Sequence, residues 1–203
     1  MPKGFIINLM NEAEIYQQGL DDYGESPLAL HWTDYRSMAI RFKYLVDELD
    51  IEGKSVLDAG CGMGDLLPYL YSKADNFDYL GVDINPGFIE IAKKRYEGHR
   101  FEVGNPFNGK FGRQFDVVVT SGVMNINVKN WQKHRKTMIK NLLGLSRQAL
   151  AFNMAGGFQP LPHNSLIAYA NAQEILDFCR QLSPKVNLRT GYLQDDFTIT
   201  MFK

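Results

Sequence analysis

Charge of one sign, cysteine and long apolar runs are all scarce in this chain. Its 22 lysines and arginines face 23 aspartates and glutamates, a formal net charge of −1. No overall field therefore draws it to nucleic acid or to an anionic membrane surface. The two cysteines, Cys61 in a glycine-rich loop and Cys179 in a helical pattern, suggest neither a disulfide framework nor a metal cluster. Read as reduced thiols, they point to the cytoplasm. Nothing approaches the roughly 20 apolar residues of a membrane span. The apolar stretch Phe5 to Met10, interrupted by Asn8, falls short of the roughly 7–15 residues of a secretory signal's core. Without internal repeats, low-complexity tracts or linkers, 203 residues are expected to form one domain, with residues 1–50 as an N-terminal helical lid and 51–203 as the core.

What is present is alternation. After Thr33, an expected N-cap, the segment DYRSMAIRFKYLVDEL puts Met38, Phe42, Leu45, Val46 and Leu49 on one helical face. Lys54 to Asp58 reads as a short buried strand, and Gly64 to Lys73 as a helix starting directly at the glycine turn. Phe77 to Asp83 is a second strand, followed by the Asn85–Pro86 helix start and the Gly98 stop. Further strands are expected at His99–Val103, Phe115–Ser121 and Gln148–Asn153, and helices at Asn130–Leu145 and Ala172–Leu182. At the C-terminus, VNLRTGYL and DFTITMF alternate Phe197, Ile199 and Met201 with threonines, the period of an antiparallel strand with one wet face. Strands alternating with helices predict an α/β fold: a doubly wound sheet of seven strands, mostly parallel, with an antiparallel C-terminal edge hairpin.

The segment VLDAGCGMGD, Val56 to Asp65, follows the first strand. Asp83 comes 19 residues after Gly64, where a carboxylate can accept hydrogen bonds from ribose hydroxyls. A pyrophosphate cradle, however, reads G-x-G-x-x-G/A, whereas Gly60, Gly62 and Gly64 form G-x-G-x-G with Asp65 next. Aspartates on both flanks would repel a pyrophosphate. They suit a cationic ligand without phosphate, such as S-adenosylmethionine.

VLDAGCGMGD, LGVDIN, EVGNPF and FDVVVTSGV, in that order, resemble the motifs of the class I S-adenosylmethionine-dependent methyltransferases. YGESPLALHW near the start, Arg41–Phe42 before the first strand and the final DFTI are similar to a branch of that superfamily without an assigned substrate. The resemblance implies a Rossmann-like fold and S-adenosylmethionine as cofactor. It implies that the loop of Gly60, Cys61, Gly62 and Gly64 approaches the methionine moiety, that Asp58 orders this loop or faces the ammonium, and that Asp83 holds the ribose. Ile84 would pack on adenine, and Ser121 and Gly122 would line the methyl-transfer face. At the adenine edge the family has a backbone N–H where Pro106 has none. Asn105 then either reads adenine with both ends of its amide or merely starts a turn. Arg41 either grips the cofactor's carboxylate or is an exposed helix charge, and Trp32 either covers the ligand or packs in the core.

Methyl transfer from a sulfonium needs alignment and exclusion of water, so no obligatory catalytic side chain can be named. Tyr16, Tyr23, His31, Asn125 and Asn153 are candidates for the acceptor wall. His31 could serve as a base, although a histidine beside tryptophan is more often packed and hydrogen-bonded. The fourth strand ends in TSGVMN without the (D/N)-P-P-(Y/F) motif of nucleic-acid amino-methylases. The basic run of Lys129, Lys133, Arg135, Lys136 and Lys140 reads as a solvated helix face. The expected partner is therefore a small-molecule acceptor methylated at oxygen or nitrogen. A non-catalytic S-adenosylmethionine- or S-adenosylhomocysteine-binding protein and an NAD-dependent oxidoreductase are the alternatives.

Overall fold

The computed structural model describes residues 12–164 and 166–203; the Phe5 to Met10 stretch lies outside them. Five strands run parallel: β1 (Ser55–Ala59), β2 (Asp78–Asp83), β3 (Arg100–Val103), β4 (Phe115–Ser121) and β5 (Ser146–Gly157). With a two-residue β6 (Ala170–Asn171) beside the end of β5, and β7 (Lys185–Thr190) and β8 (Asp196–Phe202), the order is β3-β2-β1-β4-β5-β8-β7. The chain leaves β1 toward β2 on one side and reaches β4 on the other. That reversal opens a crevice at the carboxyl ends of the strands, where open α/β sheets bind ligands.

Alternating strand residues feed two cores. Leu57, Val118, Leu150, Phe152, Phe197 and Ile199 face α5 (Trp131–Leu145) and α6 (Ala172–Arg180). Val56, Val117, Val119, Ala149 and Ala151 face α2 (Tyr35–Val46), α3 (Leu67–Tyr71) and α4 (Pro86–Arg95). A smaller cluster of Ala29, Met63 and Phe88 anchors α1 (Glu12–Tyr23) and the 3-10 turn Pro27–Leu30, with Tyr16, Leu20 and Leu30 against it.

Several expectations need correction. The hairpin does close the sheet's edge, but β8 lies inside it, between β5 and β7. Thr198 and Thr200 are buried rather than wet because α2 packs over their face, and Thr198 Oγ1 shares a 2.9 Å hydrogen bond with the Tyr192 hydroxyl. The helix after the glycine turn starts at Leu67 rather than Gly64, because Gly64 takes the left-handed backbone (φ 84°) that an α-helix cannot contain. The cap of α2 is Asp34, whose carboxylate accepts from Ser37 N at 2.8 Å, not Thr33. Asn85 caps α4 as expected. In the basic run on α5, Arg135 is buried: its Nε donates to Met124 O (2.9 Å) and its Nη2 to Ala168 O (2.7 Å). Burial lowers its pKa to about 10.

Candidate active site

The loop leaving β1 folds back on the end of β2. Gly60 N and Cys61 N both donate to Val82 O, at 2.7 and 3.1 Å. Gly60 has φ 74°, and a Cβ there would lie 2.3 Å from Val123 Cγ2. Only glycine fits that closeness and that backbone. Asp83 braces the loop: Oδ2 accepts from Gly62 N and Oδ1 from Asn85 N, both at 2.9 Å. Asp58 Oδ2 accepts from the Tyr79 hydroxyl at 3.0 Å.

Burial pushes all three carboxyls here upward, Asp58 to about 7. Asp65 alone has a cationic partner, Arg95 Nη1 at 3.1 Å; Asp58 and Asp83 hold neutral donors. The Cys61 thiol is buried, points to Gly62 O and is pushed well up by burial, so it is not a nucleophile.

A cavity of about 180 Å³ opens over this loop. Of the expected cofactor residues, Asp58, Gly60, Cys61, Gly62, Asp83 and Ile84 line it, as do Asn105, Ser121, Gly122 and Trp32. Trp32 closes one wall, its Cη2 3.0 Å from where a Gly122 Cβ would stand, with its ring edge-on to Phe42. Asn105 starts the turn, its Oδ1 accepting from Phe107 N at 2.9 Å, which leaves its Nδ2 and a second lone pair on Oδ1. Gly64 and Pro106 are not in the lining.

Arg41 is also outside it. Its Nε donates to Asp196 Oδ2 at 2.8 Å, its Nη2 joins the same oxygen, and its guanidinium lies over Trp32, 4.9 Å from the ring centroid. It is therefore not the exposed helix charge that its position in a helix would allow.

Among the acceptor candidates, Tyr16, His31 and Asn125 reach the cavity. His31 stands in a left-handed conformation (φ 59°), hydrogen-bonded to the Ile15 backbone, its ring 5.5 Å from Tyr16. Its Nε2 is buried without a partner, and burial lowers its pKa. Asn125 Oδ1 is taken by Ala155 N at 2.9 Å. Tyr23 is exposed and away from the cavity. Asn153 stands behind the wall, its Oδ1 accepting from Ser121 Oγ and Gly122 N, each at 3.1 Å. It shapes the β4 tip rather than lining the cavity.

Sequence reasoning missed Leu30, Phe42, Leu66, Phe107, Asn108, Val123, Ile126, His134 and Ile167, and read Asp65 as a flank of the turn rather than as a lining residue. Phe42 carried a core signal that was correct but incomplete. Ile126 and Ile167 meet through an isolated bridge across a long loop, a pairing that no local pattern announces.

A glycine turn after β1, a carboxylate closing β2 and a cavity at the switch point define a Rossmann-like, nucleoside-binding α/β class. The methyltransferase domain family model matches residues 56–144. A Mycobacterium tuberculosis protein designated a methyltransferase, Rv1506c, is 30% identical over 155 residues, 73% of this chain and 93% of that protein. The chain belongs to this methyltransferase family. The demethylmenaquinone methyltransferase of Thermotoga maritima is 30% identical over 91 residues, 44% of this chain but only 38% of its own length. Two solved structures share the fold. Magnesium protoporphyrin IX methyltransferase from Synechocystis, with bound S-adenosylhomocysteine, has a TM-score of 0.64 at 15% identity, covering 99% of both chains. The DhpI–S-adenosylhomocysteine complex has a TM-score of 0.68 at 13% identity, covering 93% of both.

Proposed function

We propose that this S-adenosylmethionine-dependent methyltransferase carries the methyl group to an oxygen or nitrogen of a small molecule. The observation that carries the cofactor half of this reading is the pair Asp58 and Asp83, two buried carboxylates at the glycine turn, facing the ligand cavity without a cation of their own; the small size of the cavity, about 180 Å³, supports a small acceptor. A sulfonium amino acid joined to a ribose fits that pair, and a pyrophosphate does not. The cofactor supplies an electrophilic methyl on a positively charged sulfur. The chain binds, aligns and dries the site. Asp58 faces the ammonium, and Asp83 keeps lone pairs for the ribose hydroxyls after bracing Gly62 and Asn85. Ile84 packs on the base, and Trp32 screens the transfer face from water.

No helix among the described residues is long and apolar enough to cross a membrane. The two cysteines, free and buried, support a place in the reducing cytoplasm.

Thermal unfolding with S-adenosylhomocysteine, S-adenosylmethionine and NAD tests the reading. At a hundredfold excess over Kd, a bound ligand stabilises by about 2.7 kcal/mol. The first two are expected to shift the transition and NAD to leave it in place; a shift by NAD alone would overturn the assignment. A screen of metabolites with labelled S-adenosylmethionine then finds the acceptor. Binding without transfer to any acceptor would favour the non-catalytic alternative.

A further inference from the structure

We propose that the methyl acceptor is a ring-bearing molecule that enters uncharged or as a cation, and that acceptors carrying a carboxylate or phosphate are refused. The inference rests on the methyltransferase reading above and concerns the other occupant of the same cavity.

The lining has a one-sided charge. Among the described residues it contains Asp58, Asp65 and Asp83, the two histidines His31 and His134, and neither lysine nor arginine. Arg95 neutralises Asp65 from behind, at 3.1 Å. Asp58 and Asp83 receive only a phenol hydroxyl and backbone N–H groups. S-adenosylmethionine brings an ammonium, a sulfonium and a carboxylate, one net positive charge, against those two carboxylates. An acceptor therefore meets residual negative charge in a site too enclosed for water to screen it fully. The cation beside this wall is already committed: Arg41 lies over Trp32 and is held by the buried Asp196. His31, with its pKa lowered by burial, brings no compensating charge at neutral pH.

The shape of the wall supplies the second half. Tyr16, His31 and Trp32, all from the N-terminal segment, present rings to the cavity, with Phe42 behind Trp32. Flat faces of this kind stack on a planar ring and give an acyclic polar molecule little to hold. A cationic acceptor would gain further from the π-faces.

Three para-substituted phenols that share a ring and differ in charge test this: 4-ethylphenol, tyramine and 3-(4-hydroxyphenyl)propanoate. Each is titrated at pH 8 into the protein saturated with sinefungin, an unreactive analogue that carries an amine where S-adenosylmethionine has its methylated sulfonium, and the melting temperature is followed. The neutral phenol and the amine are expected to raise it, each with a half-saturating concentration at least tenfold below that of the carboxylate. A carboxylate binding within tenfold of the neutral phenol, or no binding by any of the three, overturns the proposal. Failure of both sinefungin and S-adenosylhomocysteine to shift the transition is a separate outcome and overturns the methyltransferase reading on which the proposal stands.

Discussion

Asp58 sits at the end of β1 with its carboxyl against the Tyr79 hydroxyl, and burial raises its pKa to about 7, against about 3.9 for an aspartate in an unfolded chain. Between those values the folded protein keeps a proton that the unfolded chain has released, so this residue's contribution to stability falls as pH rises from about 4 to 7. A cationic ligand favours the ionised form and pulls the other way. Affinity for S-adenosylmethionine is therefore expected to rise between pH 6 and 8, with proton release on binding. Asp58→Asn should flatten that profile and weaken binding about tenfold or more, the scale of a lost charge-assisted contact. Calorimetric titration in two buffers of different ionisation enthalpy measures both effects, and an affinity that ignores pH would rule Asp58 out as the ammonium's partner. Gly60 makes a sterically sharper case. With φ 74° and Val123 Cγ2 2.3 Å from the missing Cβ, Gly60→Ala should cost about 1–2 kcal/mol in backbone strain alone. S-adenosylhomocysteine binding should weaken with it, as read by urea unfolding and titration.

At the scale of elements, the site depends on ties between segments far apart in the chain. Arg41 on α2 and Asp196 at the start of β8 form a tether that also backs the Trp32 wall. Asp196→Ala leaves a largely buried guanidinium unpaired and should destabilise by about 3 kcal/mol. The double variant Arg41→Met/Asp196→Ala should recover much of that loss, because the stranded charge goes with its partner. Denaturant midpoints of Asp196→Ala, Arg41→Met, the double variant and the parent protein form the cycle that decides it; a double variant no better than Asp196→Ala would show that the packing, not the charge, matters. Asn85 works similarly at the start of α4, capping Phe88 N while its amide reaches Gln17 on α1. One residue so holds a helix end and docks the N-terminal segment.

Over the whole molecule, stability is uneven. The two cores on the sheet faces are large, whereas α1 and the Pro27–Leu30 turn rest on the small cluster of Ala29, Met63 and Phe88. Segments with few buried apolar contacts open at lower free energy than the core. Because Tyr16, Leu30, His31 and Trp32 from this region line the cavity, bound S-adenosylhomocysteine should slow amide exchange across residues 12–32 well beyond its effect on β1, β4 and β5. Equal slowing everywhere, or none in 12–32, would show that the N-terminal segment does not respond to the ligand.

The sequence by itself determined what short-range chemistry dictates. The strand–glycine turn–helix unit, the aspartate ending β2, the Asn85 cap and β4 from Phe115 to Ser121 were all legible, because turns, caps and apolar periods act within a few residues. From these came the parallel sheet and the glycine-turn side of the cavity. Only the tertiary structure decided which partner each long polar side chain takes. Arg41 found Asp196 across 155 positions, Arg135 turned from an apparent solvated face to the carbonyls of Met124 and Ala168, and Asn153 went to the β4 tip instead of the cavity. Packing of α2 over β8 dried a face that alternation alone marks as wet. Those outcomes follow from which elements become neighbours, and burial then obliges every polar group to take whatever partner lies within reach.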